Sequence, residues 1–182
     1  MPAKKVADKV TKKSARLRPP HDLRRAYEHL GRIDILEGAL VGAHFRHVSA
    51  LTALAQQQLT SGRRRNAADL LRAAEHICFA ALAPEHAGAN PLVSAELKAA
   101  IAEELDQLTS SAEDRWSNAG SPHPTIAVIY RTTLDESRNY FANRVYRPAL
   151  ELARAAEALA RLAKRIPANL PADRNPINLL AS

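Results

Sequence analysis

No proline falls between Pro20 and Pro84, and beyond that point prolines recur at 84, 91, 122, 124, 148, 167, 171 and 176. Proline suits the first turn of a helix and breaks its interior. The spacing therefore divides the chain into long proline-free stretches joined by short breaks. Within those stretches the apolar residues recur at helical steps. Ile33, Leu36, Leu40, Val48, Leu51 and Leu54 follow three- and four-residue intervals. Ala67, Leu70, Leu71, Ala74, Ile77, Cys78 and Ala81 make one broad face, and Leu152, Ala156, Leu159 and Ala163 make a stripe. The prediction is an all-α chain: a single antiparallel bundle of about five helices over 21–166. An irregular basic tail precedes it (1–20), expected to be disordered, and a Pro-rich irregular extension follows (167–182).

The expected boundaries come from local signals. Asp22 caps a long first helix, which Gly31, Gly38 and Gly42 kink or divide, and Ser61-Gly62 ends it, since glycine takes the left-handed C-terminal conformation readily. Asn66 and Asp69 resemble a start signal for the next helix. A turn this short makes the two helices antiparallel neighbours. Residues 84–91 form a loop, Asn90-Pro91 opens a third, acidic element over 92–117, and Gly120 to Pro124 make the next turn. The run Thr-Ile-Ala-Val-Ile-Tyr from Thr125 has strand-like composition, but a lone strand has no partner, so it reads as the start of a helix over 125–146. Pro148 starts the last helix. From Arg138 to Arg165 the chain holds seven bases and two acids, so the acidic element and this basic part are expected to face each other. No repeat at a fixed period is evident over the 182 residues.

The net charge of +7 is unevenly placed. Residues 1–18 hold seven of the 26 bases and one of the 19 acids, Asp8, which makes the tail +6 and leaves the body +1. Such a tail is a solubilising extension or an arm for polyanions, held through counterion release without reading sequence. No run approaches the ~18 apolar residues that a membrane span needs, and the N-terminus lacks the apolar core of a secretory signal. A cytoplasmic protein with no membrane contact is expected.

Few residues suit catalysis. There is no nucleophile elbow, P-loop or dinucleotide glycine motif. Cys78 sits among apolar residues in His-Ile-Cys-Phe-Ala and reads as a small buried hydrophobe. His44 and His47 lie three apart on one helix, but a metal site needs three or four ligands, and both border the apolar stripe, so they read as core or groove histidines. No metal and no cofactor are expected. Two basic sets remain. Arg63, Arg64 and Arg65 occupy a turn between helices, where bases oppose the dipole of the helix that follows. They read as phosphate contacts or as a solvated turn. In Ser137–Pro148, Arg138, Arg144 and Arg147 alternate with Tyr140 and Tyr146. Arginine forks grip phosphate and aromatic faces stack on unpaired bases, although Tyr140 and Phe141 also fall on the stripe of Ile126, Ile129 and Thr133.

Two segments together resemble the HEPN superfamily of helical-bundle domains. One is the hairpin from Ala50 to Leu82, with its Ala/Leu-rich helix, Gly-containing turn and Ala-Ala-Glu; the same hairpin is similar to one tetratricopeptide unit. The other is Arg138-Asn139-Tyr140-Phe141-Ala142-Asn143, where many HEPN proteins carry Arg, a polar residue, three more residues and His. The resemblance spans roughly 50–165. It implies a site, commonly shared by two subunits, at which Arg and His cleave RNA without metal. His titrates near neutral pH and moves protons, and Arg holds phosphate. Asn143 stands at the His position and cannot titrate. The resemblance thus implies a non-catalytic homodimer that binds RNA or a partner protein at Arg138, Asn139 and Asn143, and the residue reading above adds Arg144, Arg147 and the turn Arg63-Arg64-Arg65 to the candidate nucleic-acid-binding set. Two alternatives stand beside it: a bundle that binds only proteins, and a metal-independent ribonuclease using another base.

Overall fold

The computed structural model describes residues 21–83, 94–166 and 168. Among them 84% are helical, in six helices with no strand. These are α1 (His21–Glu37), α2 (Gly42–Thr60), α3 (Arg64–Leu82), α4 (Ala95–Ser117), α5 (Pro124–Ala142) and α6 (Tyr146–Ala163). The all-α bundle is as expected, with six helices in place of about five. The expected first helix is two, broken at 38–41 between Gly38 and Gly42, while Gly31 stays inside α1. The basic tail, the Pro-rich extension apart from Ala168, and the loop over 84–91 lie outside the described residues.

Several boundaries differ for physical reasons. Asn66 and Asp69 do not start α3, which begins at Arg64 with no side-chain cap. Both are buried and satisfied elsewhere. Asn66 donates to Gln58 at 3.1 Å, and Asp69 accepts from Arg165 at 2.6 Å. The cap of α4 is Ser94, whose hydroxyl accepts from the Leu97 amide. The cap of α5 is His123, whose buried ring accepts from the Thr125 amide. α6 begins two residues before Pro148, which falls in its first turn, where a missing N–H costs nothing.

α3 and α6 form the centre. They pack on each other, α1 and α2 pack on α3, and α4 and α5 pack on α6. Their contact is rich in alanine: Ala67, Ala73, Ala74, Ala155 and Ala156 are all fully buried. Small side chains let two helix backbones approach closely, and the larger Leu70, Leu71, Ile77, Leu152 and Leu159, at most 1% exposed, fill the remaining core. Burying each of these large side chains stabilises by about 1.5–3 kcal/mol. Asp69 meets Arg165 and His76 meets Glu151, so α3 and α6 run antiparallel. The acidic α4 lies against α6, tied by Arg154–Glu104 at 2.6 Å and Arg115–Glu157 at 3.5 Å.

The two halves repeat each other, which corrects the expectation that the chain has no repeat. Arg65, Ala67, Leu70, Arg72, Ala73, Ala74, Glu75 and Ala81 recur 82 positions later as Arg147, Ala149, Leu152, Arg154, Ala155, Ala156, Glu157 and Ala163. The turns before these helices match in backbone detail. Ser61 (φ −84°, ψ 6°) corresponds to Asn143 (φ −85°, ψ 8°). Gly62 (φ 73°) corresponds to Arg144 (φ 61°). The Arg63 amide donates to Gln58 O at 2.8 Å, and the Val145 amide to Tyr140 O at 2.8 Å. The Gly62 and Arg144 amides donate to Leu59 O and Phe141 O, each at 2.9 Å. Both turns are the same double-bonded helix ending. Each half is thus a three-helix unit whose third helix is flanked by its first two.

Candidate nucleic-acid interface

The repeat places the two basic sets at corresponding turns, where Arg65 and Arg147 occupy matching positions while Arg63 and Arg64 stand opposite Val145 and Tyr146. Arg63, Arg64 and Arg65 lie in the α2–α3 turn and the first residues of α3; Arg144 and Arg147 hold the corresponding stretch between α5 and α6. All five are exposed, and none has an ion-pair partner at salt-bridge distance among the described residues. Because α3 and α6 are antiparallel, the two turns sit at opposite ends of the central pair. The 19 residues of α3 set that separation at about 28 Å, at 1.5 Å per residue. The candidate site residues therefore lie in two groups at opposite ends of the central pair.

Arg138 and its neighbours have local roles. Arg138 lies on α5 and donates to Glu113 of α4 at 2.5 Å, with both side chains about half exposed. Such surface pairs contribute little stability. The side-chain Nδ2 of Asn143 donates to Asn139 O at 2.9 Å and to Asn139 Oδ1 at 3.1 Å, closing the end of α5. Asn143 is thus a helix cap, and Ser61, whose hydroxyl donates to Gln57 O at 2.8 Å, is its counterpart in the first half. His44 pairs with Glu136, two residues before Arg138. Side chains two apart on a helix do not share a face, and Arg138 faces α4 while Glu136 faces α2. His44 therefore does not join Arg138 in one site.

Three histidines, His29, His44 and His76, act across helix contacts. His29 and Arg32 of α1 both hold Glu75 of α3, at 2.6 Å each. His76 holds Glu151 of α6 at 2.7 Å, and Arg154 binds the same carboxylate at 3.0 Å. Burial alone would raise both carboxyls; the histidine bonds and the arginines outweigh it and hold Glu75 and Glu151 below the ordinary 4.5. His47 is buried, which lowers its proton affinity, and its Nδ1 finds no hydrogen-bond partner among the described residues. Cys78 is fully buried, and burial, with Glu37 and Glu75 nearby, pushes its thiol up to about 12. It is no nucleophile near neutral pH. Among the described residues no group of three or more His, Cys, Asp or Glu side chains is placed to hold a metal ion. No helix among them is long and apolar enough to cross a membrane.

The chemistry left at the surface is cationic. Arg63, Arg64 and Arg65 line a shallow cleft of about 400 Å³ with Asp22, Gly62 and Asn66. Asp22 belongs to the first turn of α1, so the chain enters the bundle beside this turn. A second cleft of about 360 Å³, between the ends of α4 and α6, is lined by Arg115, Arg161 and Lys164 together with Asp114. The Arg165–Asp69 bond brings that end of α6 beside the start of α3. Sequence reasoning found the arginines but missed that the two turns correspond. The signal was Arg-Ala-Ala-Glu, which occurs at Arg72 and again at Arg154. No protein-family model, curated protein or solved structure matches the chain.

Proposed function

We propose that the protein is a non-catalytic RNA-binding bundle that holds single-stranded RNA at the end formed by the α2–α3 turn. The observation that carries this reading is the exposed trio Arg63, Arg64 and Arg65, set beside the start of α1, where the +6 segment of residues 1–18 leads in. Guanidinium forks bind phosphate in pairs of hydrogen bonds. A basic segment that precedes α1 in the chain, together with a basic turn beside the start of α1, supplies the sequence-independent attraction that polyanions respond to. The absence of catalysis rests on Asn143, which caps α5 and has no titrating proton. The dimer and the HEPN kinship implied by the Arg138-Asn139 motif belong to this proposal.

A protein partner is the second reading. It is favoured by the corner between α1 and α2, where Ile35, Val41 and Phe45 are 81%, 82% and 42% exposed.

The experiment is fluorescence anisotropy with labelled single-stranded RNA in EDTA, followed by gel analysis of the RNA. Wild type is expected to bind without cleaving. Replacing Arg63, Arg64 and Arg65 by alanine is expected to weaken binding at least about tenfold; deletion of residues 1–18 weakens it further. Equal affinity in wild type and the triple variant would remove the turn from the account. Cleavage by wild type would replace it with the ribonuclease reading. Absence of binding by any variant would leave the protein-partner reading.

A further inference from the structure

The second copy of the turn differs from the first at one position that matters physically. Gly62 has φ 73° in the α2–α3 turn, and Arg144 has φ 61° at the corresponding place. Glycine adopts this left-handed conformation freely; a residue with a Cβ is disfavoured there. The fold gains nothing from arginine at this place. Arg144 is exposed and makes no hydrogen bond or ion pair through its side chain among the described residues, so its guanidinium is directed at solvent. Arg147 is exposed in the first turn of α6, at the position matching Arg65. Beside them Tyr146 packs edge-on against Phe141 at 5.9 Å, which places an aromatic ring next to the two cations.

We propose that the α5–α6 turn is a second RNA-phosphate site, so that one strand lies along the bundle and is held at both ends. The inference rests on the RNA reading above and goes beyond it. The first site is the Arg63–Arg65 turn, the second is Arg144 with Arg147, and about 28 Å of helix separates them. A stacked strand advances about 3.4 Å per nucleotide, so about eight nucleotides cover that span. An oligonucleotide of five reaches about 17 Å and occupies one turn at a time.

The test compares five- and fifteen-nucleotide oligoadenylates on the full chain, with native mass spectrometry counting the bound pentamers. Wild type is expected to bind two pentamers, and to bind the longer strand about a hundredfold more tightly, because the second contact is intramolecular. Arg144→Gly combined with Arg147→Ala is expected to bind one pentamer and to lose that length-dependent gain. Arg144→Gly places at φ 61° the residue that prefers it, so loss of folding does not confuse the result. If the double variant keeps both the gain and the count of two, the second site is wrong, while the first site still stands on its own variants. If wild type binds neither oligonucleotide, both proposals fall together.

Discussion

The first half of the bundle ties its outer helix to its central one through a buried carboxylate, and the second half does the same thing more loosely. Glu75 is 3% exposed and is gripped by His29 and Arg32, both from α1. Its counterpart Glu157 is 6% exposed, yet only Arg115 reaches it from α4, at 3.5 Å; Arg161 comes from its own helix. The same residue in the same place thus serves as a cross-helix clamp in one half and is held mainly by an arginine of its own helix in the other. Repetition keeps residues that set backbone packing, above all Ala-Ala and the buried pair Leu70 and Leu152, and lets the partners of the shared glutamate drift. The turns show the converse: identical backbone, with a conformational glycine in one copy and an exposed arginine in the other.

The equivalence of the halves is broken most directly in the core. Leu70 and Leu152 are both fully buried at matching positions. Changing either to alanine is expected to destabilise the fold by about 3 kcal/mol, with the two values within about 1 kcal/mol of each other, read by urea unfolding. A silent Leu152→Ala would show that the second half does not share the core.

Glu75→Gln comes next, at about 2 kcal/mol, because His29 and Arg32 lose their buried counter-charge; Glu157→Gln is expected to cost about 1 kcal/mol, since Arg115 and Arg161 return to water. Equal losses would erase the contrast between the cross-helix clamp and the within-helix pair. The same clamp predicts a pH effect. Glu75 and Glu151 have lowered proton affinity in the folded state. The stability they contribute is therefore complete above the ordinary value of 4.5 and is lost as pH falls through their lowered folded values. Chemical unfolding below pH 4.5 is expected to show a shallower loss in Glu75→Gln than in wild type.

The smallest effect is at the turns. Gly62→Ala meets no neighbour within 4 Å but is strained at φ 73°, so it is expected to lower stability by about 1 kcal/mol. Arg144→Gly relieves the matching strain and is expected to raise stability by about 0.5 kcal/mol. Thermal unfolding distinguishes the two signs.

The bundle itself was legible because helical periodicity and proline spacing are local. Leu152, Ala156, Leu159 and Ala163 are all buried as their spacing implied, and the strand-like run from Thr125 does begin a helix. The break at 38–41 was half legible, since glycines mark it without saying which of three acts. The pairs His29–Glu75 and His76–Glu151 join residues 46 and 75 positions apart, and no local pattern encodes them. The repeat escaped notice because α2 and α5 share a buried face without sharing residues: His47, Leu51 and Ala55 stand where Ile129, Thr133 and Ser137 stand, and all six are buried. Of the candidate site, the arginines were legible by type. The cap role of Asn143 and the ion pair of Arg138 were not, because both depend on partners brought by the fold.

The central claim is electrostatic, so the dependence of RNA affinity on salt tests it most directly. Each phosphate neutralised on a single strand contributes about −0.7 to the slope of log affinity against log salt. With Arg63, Arg64 and Arg65 all replaced by alanine, the slope is expected to become shallower by about 2. A slope unchanged between wild type and the triple variant would contradict the account.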